Sequence, residues 1–104
     1  MTATMIYVTA SSDEEALRIA DAIVTERLAA CANVVRGVTS MFWWEGRVQE
    51  GQEVTIILKT RDELVERLTD RVRELHSYDC PCIVAFPITG GNKAFIDWII
   101  AETR

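Results

Sequence analysis

The chain has 104 residues, the size of one domain, and 49% of them are hydrophobic, enough for a single core. Its net charge is −5 with no cluster of Lys or Arg, which argues against contacts to a phosphate backbone and so against nucleic-acid binding. No run approaches the ~18–20 apolar residues of a membrane span, and the first residues, MTATMIYVTASSDEE, lack a basic segment ahead of an apolar one, so a cytoplasmic chain is expected.

Thr4–Thr9 is short and β-branched, as a buried strand should be. Ser12 with Glu15 three residues on reads as a capping box. Ala16, Leu17, Ala20, Ile23, Val24 and Leu28 then recur at helical spacing, predicting a helix to about Ala29. Cys31–Thr60 reads as one long β-hairpin with Glu45-Gly46 as its two-residue tip. With a register symmetric about that tip, Trp44 faces Arg47 and Cys31 faces Thr60. Gly37 interrupts the first arm and marks a bulge or bend. Thr60 with Glu63 resembles a second capping box. Leu64, Val65, Leu68, Val72 and Leu75 form the buried stripe of a second helix ending near His76-Ser77. Cys82–Ile88 is a further strand, Gly90-Gly91-Asn92 a loop, and Ala94–Glu102 a short terminal helix.

The order β-α-β-β-α-β predicts an α+β fold, a ferredoxin-like sandwich with a long hairpin and a short C-terminal helix. Each hairpin arm of about 14 residues would span ~46 Å, against a radius of gyration of only ~13 Å for a compact chain of this length. The hairpin is therefore expected to overhang its subunit. Its tip is apolar on both faces, with Phe42 and Trp44 pointing one way and Met41 and Trp43 the other. One small domain can hardly cover both, so Met41, Phe42, Trp43 and Trp44 are expected at an interface between subunits. Ile57, Met41 and Trp43 also suggest that the sheet face away from the helices is covered.

Several stretches, taken in order, resemble the CutA family of divalent-cation tolerance proteins: ERLAACANVV, GVTSMFWWEGRVQEGQEV, ILKTR, ELHSYDCPCIVAFPI and GN...FIDWI. The resemblance covers nearly the whole chain. It implies a ferredoxin-like subunit, a tight homotrimer with interlocking hairpins, and a role in tolerance of copper and other divalent cations. Copper or another divalent ion is the implied cofactor, none being needed for folding. The trimer also resembles PII-type nitrogen-regulatory proteins. The alternative function is therefore a signalling or scaffold trimer that binds a small ligand or protein in clefts between subunits, where Lys59, Tyr78 and Trp98 are the candidate lining residues. The sequence departs from the family at Arg36, where a Pro is usual, at Ser77, where a Pro is common, and at Cys82, which replaces a Glu. Of the Cys and paired His residues that resemble a copper site in some relatives, the matching positions are Thr9, Leu75 and His76, and only His76 is retained.

Cys31, Cys80 and Cys82 are an odd count without a secretory leader, so thiols are expected rather than disulfides. His76, Cys80 and Cys82 are the one soft-ligand group, an imidazole and two thiols suited to Cu(I) or Zn(II). The plainer reading makes Cys82 a small residue opening a strand, Cys80 incidental, and His76 a favourable helix end. A redox or metal-storage module using Cys80 and Cys82 is a further alternative. Cys31 reads as a small buried hydrophobe. No Ser or Cys carries a nucleophile motif, Gly90-Gly91-Asn92 lacks the spacing of a phosphate loop, and no catalysis is expected.

Overall fold

Thr4, Ile6, Val8 and Ala10 alternate with Met5, Tyr7 and Thr9, and this two-residue period makes β1 (Ala3–Ala10) a central strand. The computed structural model describes residues 2–104. After β1 come α1 (Asp13–Thr25), β2 (Cys31–Trp44), β3 (Arg47–Arg61), a 3-10 turn at Asp62–Leu64, α2 (Val65–Leu75), β4 (Ile83–Pro87) and α3 (Lys93–Glu102). The strands form one sheet in the order β2-β3-β1-β4, with every neighbouring pair antiparallel. This is the ferredoxin-like arrangement expected from the element order. Ile6, Val8, Ile56 and Leu58 on the sheet and Ile19, Ile23, Leu68 and Val72 on α1 and α2 make one buried core. Both of these helices therefore lie on one side of the sheet.

Helix ends explain two departures from expectation. α1 stops at Thr25, not near Ala29, in a Schellman turn: the Leu28 amide donates to the Ile23 carbonyl at 3.1 Å and the Arg27 amide to the Val24 carbonyl at 3.0 Å. The left-handed position is held by Arg27 at φ 64°, where glycine is usual, so composition gives no stop signal. Arg27 is retained there by contacts of its own, an ion pair with Glu102 at 2.6 Å and a bond from the Arg104 amide at 3.1 Å. Thr60 does not cap α2. It is a buried residue of β3 whose hydroxyl donates to the Leu28 carbonyl at 2.7 Å, and α2 is entered through the 3-10 turn without a side-chain cap. At the first helix Ser12 caps as expected, its Oγ accepting from the Glu15 amide at 3.2 Å. The reciprocal bond is displaced by one residue, to the Ser11 amide at 2.9 Å.

The hairpin turns at Glu45-Gly46 with φ of 52° and 76°, and Trp44 faces Arg47. The register changes lower down. Val38 pairs with Glu53 but Val35 pairs with Thr55, so Arg36 and Gly37 together oppose Val54. Gly37 has φ 74° in this bulge. As a result Cys31 faces Lys59 rather than Thr60. The extra residue also exchanges the faces of β2 beyond the bulge. Below it, Cys31, Asn33 and Val35 share the outer face, away from α1 and α2, with Ile57 and Lys59. Above it, Val38, Ser40, Phe42 and Trp44 take that face, opposite Glu53, Gly51, Gln49 and Arg47. Phe42 accordingly lies over Gly51, its ring 3.8 Å from where a Cβ there would sit. Met41 and Trp43 are thus not on the same face as Ile57; they are on the helix side of the ribbon.

β1 pairs with β3 only as far as Ala10–Val54. The ribbon from Val38 to Glu53 therefore runs past the rest of the sheet, and the molecule measures 44 × 25 × 22 Å.

Candidate functional site

Two regions carry the features that the core does not use. The first is the outer sheet face with the overhanging ribbon. Met5, Tyr7 and Ile57 sit at its centre, flanked by Val84 and Phe86 on β4 and by Val35 on β2. Val35, Val84, Phe86, Phe42 and Trp44 are exposed, and on the other side of the ribbon Met41 is 70% and Trp43 74% accessible. Both faces of the tip are thus uncovered within the subunit.

The second region is the turn after α2. His76 is buried, its Nε2 donating to the Thr9 carbonyl at 2.7 Å and its Nδ1 accepting from the Tyr78 amide at 3.1 Å. Acceptance at Nδ1 fixes the tautomer with the proton on Nε2. Both ring nitrogens are thereby engaged. Glu15, only 5% exposed, lies 3.9 Å from Nδ1. One of its oxygens accepts from the Ser11 amide and hydroxyl, both at 2.9 Å, and the other from the Ser77 amide at 2.8 Å. Burial works against the Glu15 charge, but the hydrogen bonds from Ser11 and Ser77 outweigh it and hold the carboxyl at about 2. Arg18 adds a contact to Glu15 at 3.9 Å and donates to the Leu75 carbonyl at 3.2 Å. The network ties the start of α1 to the end of α2. The Tyr78 hydroxyl extends it, donating to Glu53 at the base of the ribbon at 2.9 Å. Burial and the neighbouring Glu53 push the Tyr78 phenol up to about 12.

Cys80 and Cys82 follow on either side of Pro81, and both are exposed free thiols; Cys31 is a half-buried free thiol, close to the small hydrophobe expected. Burial and the Glu53 charge raise the Cys82 thiol, while the Thr9 side chain hydrogen-bonded to it pulls the other way. Among the described residues, no three His, Cys, Asp or Glu side chains come together as a metal-ligand set. His76, Cys80 and Cys82 are close in the chain, but the imidazole is turned into the core.

The cleft residues are spread out within one chain. The Lys59 ammonium bonds to Asn33 on the outer face, and Trp98 pairs with Phe95 on α3 at 5.4 Å between ring centres. Tyr78 is bound to Glu53, six positions along β3 from Lys59, or roughly 20 Å of strand. Glu15 and Glu53 had no functional reading in the sequence, and Thr9 entered only as a position where some relatives carry a copper ligand that this chain lacks. The only signal for Glu15 was its place in a capping box. Thr9 acts in part through its carbonyl, which leaves no mark on residue type.

The family described as CutA1 divalent ion tolerance protein matches residues 4–102. The chain belongs to the CutA family. The divalent-cation tolerance protein CutA of Archaeoglobus fulgidus is 48% identical over 94 residues, covering 90% of this chain and 91% of that protein. The CutA1 structure from Thermus thermophilus superposes with a TM-score of 0.96 at 43% identity, covering 98% of this chain and 99% of that one. For CutA1 of Oryza sativa the TM-score is 0.97 at 42% identity, covering 100% and 95%. The chain spans only 56% of the length of the chloroplastic CutA 1 of Oryza sativa, to which it is 44% identical over 100 residues covering 96% of this chain. Against the CutA pattern, Arg36 stands in the bulge where a Pro is usual. Its guanidinium pairs with Asp13 at 3.0 Å, so the substitution fastens the bulge to the first turn of α1.

Proposed function

We propose that this CutA chain assembles as a homotrimer and acts in divalent-cation tolerance, copper included, by binding metal. The uncovered outer sheet face and two-sided aromatic ribbon carry the assembly reading. An isolated subunit would leave Val35, Phe42, Trp44, Val84 and Phe86 on one side and Met41 and Trp43 on the other in water, whereas soluble monomers rarely expose apolar patches beyond a few hundred Å². A ribbon that projects from one subunit can reach the bare face of another, and the CutA resemblance supplies the number three. The names of the relatives support the tolerance role. The reading involves no catalysis, and a reducing cytoplasm suits the free thiols.

The test is growth. Cells lacking their own CutA protein and challenged with copper should recover tolerance when this chain is expressed. Expression of the folded protein with no gain in tolerance would overturn the functional reading.

A further inference from the structure

The buried cluster and the apolar groups packed on it reach no farther than Val34 on β2 and Val54 on β3. The core therefore does not set the direction in which the ribbon leaves the sheet. That direction is set at the root, where Val38 pairs with Glu53. Side chains from outside the sheet hold both arms there. On β3 the Glu53 carboxylate accepts from the Tyr78 hydroxyl at 2.9 Å. On β2 Arg36 pairs with Asp13 at 3.0 Å. The two holders are joined to each other, because Glu15, in the same first turn of α1 as Asp13, accepts from the Ser77 amide at 2.8 Å. Arg36, Asp13, Glu15, Ser77, Tyr78 and Glu53 thus close a collar around the root. Its members are unequal. Arg36 and Asp13 are both more than half exposed, and an ion pair so open to water contributes little. Tyr78 is held more firmly. Its ring centre lies 4.7 Å from that of the buried His76, and its amide donates to His76 Nδ1 at 3.1 Å. A hydrogen bond from a fixed donor to a charged acceptor is the stronger kind. The phenol, pushed up to about 12, keeps the proton it donates across the neutral range.

We infer that Tyr78 is a positioning residue for assembly: through Glu53 it fixes the direction of the ribbon and so presents the aromatic tip to a second copy of this chain. This rests on the reading that the chain assembles, and it specifies what aims the interface. The arm from Val38 to Trp44 is about 20 Å long, so a tilt of about 10° at the root carries the tip about 3.5 Å. That is close to a whole carbon–carbon contact distance, enough to unseat Trp43 and Trp44 from any surface shaped to receive them. A ribbon free to tilt must also be ordered each time a subunit docks, and that ordering weakens association.

The experiment uses the intact chain and Tyr78→Phe, which keeps the ring beside His76 and removes only the hydroxyl. The variant should dissociate at a concentration about tenfold higher than the wild type, read by size exclusion over a dilution series. Hydrogen exchange followed by mass spectrometry should speed up in the segment 38–53 and stay at wild-type rates in β1 and α1. Glu53→Gln, whose amide oxygen can still accept, should behave as the wild type, and Glu53→Leu as Tyr78→Phe. The double variant Tyr78→Phe/Glu53→Leu should be no weaker than either single one, since both remove the same bond. Wild-type dissociation in Tyr78→Phe, or additive losses in the double variant, would overturn the inference. Faster exchange in β1 and α1 as well would overturn it too, by making the bond a support of the whole subunit. The mass of the wild type separates this inference from the assembly reading. If the wild type assembles and Tyr78→Phe assembles equally well, the inference falls and the assembly reading stands. If the wild type is a single chain, both the assembly reading and the part given to Tyr78 in assembly fall, and the exchange pattern alone decides whether it fixes the ribbon.

Discussion

Glu15 is the residue whose charge the fold works hardest to keep. Its carboxylate is buried and bound by Ser11 and Ser77, and it titrates at about 2 instead of the ordinary 4.5. A depressed carboxylate stabilises the folded state fully above its unfolded value. That contribution is lost as pH falls from 4.5 through about 2. The shift corresponds to roughly 3 kcal/mol. Glu15→Gln should therefore lower stability at pH 7 and flatten its decline across that acid window, read by urea denaturation at fixed protein concentration. An acid decline as steep as that of the wild type would show that another group is responsible. His76, beside it, shows how far residue type alone can mislead. The sequence singles out an imidazole next to two thiols. It does not show that a carbonyl and an amide of the main chain already occupy both ring nitrogens, since main-chain partners belong to any residue.

At the scale of elements, the bulge at Arg36-Gly37 shifts which side chains along β2 share a face. Gly37 sits at φ 74° with open space where a Cβ would go. Gly37→Ala should thus cost only the left-handed conformation, about 1 kcal/mol, and leave the assembly intact. Deleting Gly37 should leave the pairing above it intact, because Arg36 would then oppose Val54 alone and Val38 would still face Glu53. Phe42 and Trp44 would keep the outer face, and the variant should elute from size exclusion at the wild-type position. Loss of assembly in the deletion variant would show that the bend of the bulge, and not the facing of the aromatics alone, is needed. This element also marks the boundary of what was legible in the sequence. The turn at Glu45-Gly46 and the interruption at Gly37 were both readable. A lone glycine does not say whether it bends a strand or adds a residue to it, so the register below it came out one residue off. The end of α1 was illegible for a related reason, because Arg27 occupies a position where glycine is the usual signal. Strand order followed from β-α-β-β-α-β, because few ways of joining those elements bury one face of the sheet.

For the whole molecule, the sheet has α1 and α2 on one side and an apolar, largely uncovered face on the other, and a ribbon reaches past its end. Trp43 is 74% exposed in the lone chain and touches none of its core. Trp43→Ala should therefore leave the subunit fold unchanged by far-ultraviolet circular dichroism while raising the concentration at which the assembly dissociates. Removing a large aromatic from an interface centre commonly costs more than ~1–2 kcal/mol of association. Unfolding of the variant without any dissociation step would place Trp43 in the subunit's own stability instead. The most direct measurement of the central claim is the mass in solution. Static light scattering at micromolar concentration should give three times the chain mass of 11.7 kDa; a mass of one chain would mean that the bare sheet face and the ribbon tip are tolerated in water, and would contradict the account.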